Sequence, residues 1–71
     1  MGRNDDLSEV EVEVRRHGDK GLLVRNEATD DEAWINYNII DDESEIHEKT
    51  PIGATGMLVI PEAKAVELGW D

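Results

Sequence analysis

Hydrophobic and polar positions alternate strictly early in the chain. Val10, Val12 and Val14 fall on one side of an extended backbone, and Glu9, Glu11 and Glu13 on the other. A period of two with β-branched residues predicts a half-buried strand over residues 8–16, valines to the core and glutamates to water. His17-Gly18-Asp19-Lys20 breaks it as a turn in which Gly18 supplies the positive φ of a tight hairpin. Gly21-Leu22-Leu23-Val24-Arg25 returns antiparallel, as so short a connection requires. That places Arg15, Arg16 and Arg25 near the glutamates of the neighbouring strand, in exposed pairs each worth less than about 1 kcal/mol. Residues 27–31 form a second polar turn.

A third strand is predicted over Glu32 to Ile40. Alternation sets Trp34, Asn36, Asn38 and Ile40 on one face and Ala33, Ile35, Tyr37 and Ile39 on the other. Apolar residues on both faces predict a central or covered strand. Asn36 and Asn38 beside Trp34 require that this face opens toward its end or that the strand bends. Asp41 to Gly53 is a long loop or a broken helical turn, long for so small a domain, with Ile46 placed to pin it to the core. Thr55 to Ile60 is an apolar, buried fourth strand. Pro61 suits the first position of a helix, Glu62 the favourable end of its dipole, and Gly69 the C-terminal cap after two turns over Ala63 to Leu68. Trp70 then folds back or docks. These elements predict an α+β fold, a small antiparallel sheet of about four strands with a short C-terminal helix. Residues 1–7 are expected as a frayed terminus and residues 8–71 as one compact domain.

Length and charge narrow the function. With 71 residues the chain buries only about 60% of its unfolded surface, and without cysteine it has neither disulfides nor thiolate metal sites to brace it. No apolar run reaches the ~18 residues of a membrane span. The opening Met1–Asp6 lacks an apolar signal core, and Asp6 stands where a myristoylation motif wants Ser or Thr, so a cytoplasmic location is expected. The net charge is −11. It weakens the compact state by self-repulsion and argues against nucleic acid or an anionic membrane as a direct partner. Bases cluster at Arg15, Arg16, Lys20 and Arg25, and none occurs from Asn26 to Glu48. That span holds Glu27, Asp30, Asp31, Glu32, Asp41, Asp42, Glu43, Glu45 and Glu48. A charge run is ordinarily a solvated face; here nothing nearby in sequence neutralises it.

Catalytic apparatus is not visible. Ser8 and Ser44 lie outside any nucleophile elbow. His17 falls in a turn and His47 in the acidic loop, both readable as solvated histidines. Gly53 and Gly56 lack the lysine and helix of a phosphate loop. The carboxylates from Asp41 to Glu48 do not have the spacing of an EF-hand. No enzyme activity, metal or other cofactor is therefore expected. Among the aromatics, Trp34 is assigned to the core, while Tyr37 and Trp70 are either core residues or interface anchors.

Gly21-Leu22-Leu23-Val24, Trp34-Ile35, Ile40, Asp42-Glu43-Ser44-Glu45, Leu58-Val59-Ile60-Pro61-Glu62 and Leu68-Gly69-Trp70 follow one another in a telling order. Across about two thirds of the chain they resemble a family of small, largely uncharacterised bacterial and phage proteins. That family carries A-L-L-V, W-I-P-K-S-x-I, D-x-S-E, L-x-I-P-E-W and K-G-L in turn. Its Pro-Lys-Ser is Asn36-Tyr37-Asn38 here, and the tryptophan of its helix is Ala63. The resemblance implies a fold and a mobile-element origin, not a function. Size and acidity are similar to those of anti-CRISPR inhibitors, an analogy only.

Together these features predict an inhibitor that occupies a basic, nucleic-acid-binding surface of a host defence complex, as a monomer or weak dimer. Glu27, Asp30, Asp31, Glu32, Asp41, Asp42, Glu43, Glu45 and Glu48 would carry the charge and Tyr37 would anchor the contact. Glu9, Glu11 and Glu13 form a secondary row with carboxylates about 6.7 Å apart, a pitch comparable to that of phosphates. The alternative is adaptation to a salty cytoplasm, since Lys20, Lys49 and Lys64 are the only lysines.

Overall fold

A computed structural model describes residues 6–70. Strands β1 (Leu7–His17), β2 (Gly21–Asn26), β3 (Glu32–Asn36) and β4 (Thr55–Pro61) form one antiparallel sheet in the order β3-β2-β1-β4, followed by helix α1 (Glu62–Leu68). This is the expected small α+β fold. The strand begins earlier than expected: Leu7 pairs with Pro61, and the Asp6 carbonyl accepts the amide of Glu62 at 2.8 Å. The rest of the terminal stretch and Asp71 lie outside the described residues.

The valine face of β1 builds the core. Val10, Val12 and Val14 pack with Leu22, Val24, Ile35, Leu58 and Ile60, covered by Ala65, Trp70 and Ile46. A bulge follows Val14. Val14 pairs with Val24, but Arg16, not Arg15, pairs with Leu23. Unbroken alternation would send Arg16 among the valines; the extra residue keeps both arginines off the core face. It also turns His17 toward the core-side loop, where Nε2 donates to the Thr50 carbonyl at 2.6 Å.

Four expectations change. The third strand is neither central nor nine residues long. It is an edge strand that ends at Asn36, where the chain enters a 3-10 turn over Tyr37–Ile39. The turn ends the period of two, so Tyr37, Ile39 and Ile40 all pack on the core. Trp34 therefore stays on the outer face opposite Leu23, half exposed at 50%. Trp70, by contrast, is a core residue, only 8% exposed. Its amide bonds to the Ala65 carbonyl, and Gly69 is left-handed at φ 77° as a helix cap. Pro61 precedes the helix as its cap instead of opening it.

Gly18 is the fourth. Only Gly53 and Gly69 among the described glycines have positive φ. What Gly18 supplies is space, since a Cβ there would stand 2.8 Å from the Trp34 ring. Gly21 is needed more strictly, because its missing Cβ would overlap the Ile35 carbonyl of the adjacent strand.

Candidate functional site

The outer face of β1, β2 and β3 carries an ion-pair lattice. Register sets Glu13 opposite Arg25 and Arg25 opposite Glu32. Arg25 reaches Glu13 at 3.1 Å, Glu27 at 3.4 Å and also Asp30. Arg15, displaced by the bulge, bridges Glu13 at 3.2 Å and Glu32 at 3.4 Å. The hydrogen bond from Arg25 holds the Glu13 carboxyl below the usual glutamate range, against desolvation and with help from Arg15. Arg25 is raised correspondingly, chiefly by Glu13. Glu13, Glu27, Asp30 and Glu32 are thus occupied by the protein's own arginines. Arg15–Glu13 and Arg25–Glu27 are neighbours two apart in sequence, whereas Arg25–Glu13 and Arg15–Glu32 are brought together by antiparallel pairing.

Asp30 belongs to a turn built on Asn26. Asn26 is buried at 3% exposure, and its Oδ1 accepts the amides of Ala28 at 2.7 Å and Thr29 at 3.2 Å. Its backbone closes the turn with Asp30 and Asp31, and Asp30 takes a left-handed φ of 66°, which aspartate tolerates. Asp31 is exposed there and takes no ion pair among the described residues.

The carboxylates from Asp41 to Glu48 are placed differently. After the 3-10 turn the chain crosses the core side of the sheet and runs along the free edge of β4. The Asp41 amide donates to the Val59 carbonyl and the Glu45 amide to the Met57 carbonyl, both at 2.9 Å. The Met57 amide donates to Glu45 Oε1 at 2.9 Å and the Val59 amide to Ser44 Oγ at 3.1 Å. All four outward backbone groups of Met57 and Val59 are satisfied, so the acidic loop closes an edge that would otherwise template aggregation.

Ser44 is the centre of this loop and was not legible as such. It is 8% exposed. Its hydroxyl accepts the amides of Ile46 and Val59, each at 3.1 Å, and donates to the Ile46 carbonyl at 2.7 Å, with the Met57 carbonyl at 3.2 Å. Ile46 enters the core at 1% exposure. Thr50 closes the far end: its Oγ1 accepts the His47 amide at 2.9 Å. The signal available in sequence was a lone serine two residues before an isolated isoleucine.

Asp42, Glu43, Glu45 and Glu48 are exposed and Asp41 is half-buried. Asp41 Oδ2 accepts the Glu43 amide at 3.0 Å. None of the five joins an ion pair among the described residues. Tyr37, Ile40, Asp41, Asp42, Ser44, His47 and Glu48 line a cleft of about 250 Å³. Tyr37 is tethered there, its hydroxyl donating to the Gly18 carbonyl at 2.7 Å and its amide to the Lys20 carbonyl at 2.9 Å. Glu9 and Glu11 pair in register with Val59 and Met57. They therefore stand about 10 Å from the loop, two strand spacings away. No group of three or more metal-ligating side chains is assembled among the described residues.

Among the described residues, the acids on the β4 side thus stay unpaired, while Glu13, Glu27, Asp30 and Glu32 share Arg15 and Arg25. Of the acids from Glu27 to Glu32, Asp31 alone stays unpaired among the described residues. No family model matches this chain, nor does any curated protein or solved structure. No helix among the described residues is long and apolar enough to cross a membrane.

Proposed function

We propose that the chain is a phage or mobile-element inhibitor of anti-CRISPR type. It would act by binding a basic, nucleic-acid-binding surface of a host defence complex. The working surface is smaller than the sequence predicts. It comprises Asp41, Asp42, Glu43, Glu45 and Glu48 with Glu9 and Glu11 beside them, and Tyr37 at the cleft. Glu13, Glu27, Asp30 and Glu32 drop out because each is engaged by Arg15 or Arg25, and Asp31 because it stands apart from the loop, at the turn before β3. The observation that carries this is the pinned loop: carboxylates that take no ion pair among the described residues are held along a strand edge by hydrogen bonds to its backbone. A fixed array loses little conformational freedom on binding, and its field steers a cationic partner at low salt.

A plasmid-interference assay in a host with an active nucleic-acid-guided defence tests it. Wild type should restore transformation. The variant combines Asp42→Lys, Glu43→Lys and Glu48→Lys with Asp41→Asn and Glu45→Gln, which keep the acceptors for Glu43 and Met57. It should stay folded by circular dichroism and lose the effect. Undiminished inhibition by that folded variant sinks the proposal.

Salt adaptation is the second reading, supported by the arginine-only lattice on the sheet. Lysine contributes one pair among the described residues, Lys64 with Glu67 on the helix. A salt-adapted domain keeps gaining stability in molar salt, well past the concentration at which screening saturates.

A further inference from the structure

The two edges of the sheet are finished differently. The β4 edge is covered by the acidic loop. The β3 edge is open. The Asp31 carbonyl accepts the Asn26 amide and the Tyr37 amide donates to Lys20. Both therefore face β2. Alternation between them turns the backbone groups of Ala33 and Ile35 toward β2 and those of Glu32, Trp34 and Asn36 outward. None of these outward groups takes a hydrogen bond among the described residues. The same three side chains share the outer face, with Trp34 half exposed between Glu32 and Asn36.

We propose that this edge pairs with the β3 edge of a second copy, antiparallel about a two-fold axis at Trp34. The segment is self-complementary in that register. Glu32 faces the second copy's Asn36, Trp34 faces Trp34, and Ala33 faces Ile35. Six backbone hydrogen bonds form, two at each of the three outward pairs. No like charges stand directly opposite, and Glu32 is already met by Arg15 at 3.4 Å. Of the acids on the proposed working surface, the loop beyond β4 lies about 19 Å away across four strand spacings, and the nearest, Glu9 and Glu11 on β1, about 10 Å away across two. Both distances exceed the Debye length of about 8 Å at physiological salt. A second copy is thus admitted at the edge where two arginines offset part of the charge of a chain of net −11. The contact leaves the β4 edge free and stands independently of the proposed inhibitor function.

Sedimentation equilibrium of the full chain, at rising protein and salt concentration, tests it. Dimerisation should strengthen with salt, the opposite of the trend for an acidic surface on a basic partner. Asn36→Glu sets a carboxylate opposite Glu32 and should weaken association at least tenfold; Glu32→Lys added to it should restore dimers. In the cysteine-free chain, Trp34→Cys should cross-link on oxidation, since paired Cα atoms stand about 5.5 Å apart, within disulfide range. Glu32→Cys should not, being four residues out of register with itself. A monomer at millimolar concentration in molar salt overturns the proposal and leaves the edge to another chain or to solvent. Equal cross-linking at both positions, or no effect of Asn36→Glu, overturns it as well.

Discussion

Single side chains decide how much of the acidity is available. Glu13 is the clearest case, a carboxylate held in its charged form by Arg25 first and Arg15 second. A depressed folded-state pKa stabilises the fold above the usual value of 4.5. That contribution is lost as pH falls below it through the folded value. A carboxyl-carbon NMR titration should show Glu13 as an acid-shifted transition, moved back toward the usual range by Arg25→Gln. Ser44 matters by a different physics, as one hydroxyl serving the Ile46 and Val59 amides. Ser44→Ala should cost about 1–3 kcal/mol by leaving those donors unpaired. Denaturant melts would give the cost, and amide exchange at Ile46 and Val59 should accelerate in the same variant.

At the scale of elements, the β-bulge and the two glycines set the geometry. The bulge after Val14 delivers Arg15 to Glu32 across β2, and His17 to Thr50. Gly21 lets β2 and β3 close at the start of their pairing. Gly21→Ala should destabilise by about 3 kcal/mol, because the added methyl meets backbone that cannot yield. Gly18→Ala meets the edge of a half-exposed tryptophan ring, which can move, and should cost less. Paired thermal melts of the two variants check the order. The 3-10 turn is the other decisive element. It converts an apolar run that reads as a two-faced strand into a crossing that carries the acidic loop from one edge of the sheet to the other.

At the scale of the molecule, charge is partitioned by the sheet. One side binds its arginines internally and the other presents carboxylates along a covered edge. Screening of the self-repulsion among those carboxylates should raise the melting temperature steadily from low salt and then level off near 1 M, where the Debye length is about 3 Å. A calorimetric series in KCl measures it. Continued steep gain beyond that point favours salt adaptation over a partner surface. Met57 and Leu7, 39% and 42% exposed, interrupt the acids on the β4 side with apolar area that a partner could also cover.

Amino-acid pattern alone determined the α+β class, the valine face of β1, both hairpins, the role of Ile46, the helix and its glycine cap. Each follows from local periodicity or from a residue whose backbone freedom is intrinsic. Tertiary structure decided which acids are free, because Arg25 is far along the chain from Glu13 and meets it only through strand register. It also placed Trp34 outside and Trp70 inside. A period-two pattern cannot reveal where a strand stops, and β3 ends at Asn36 because Tyr37, Ile39 and Ile40 gain more by turning onto the core. Why the acidic loop is ordered was settled in three dimensions as well. Its hydrogen-bond partners are the outward backbone groups of β4, and no side-chain pattern announces which edge of a sheet will be open.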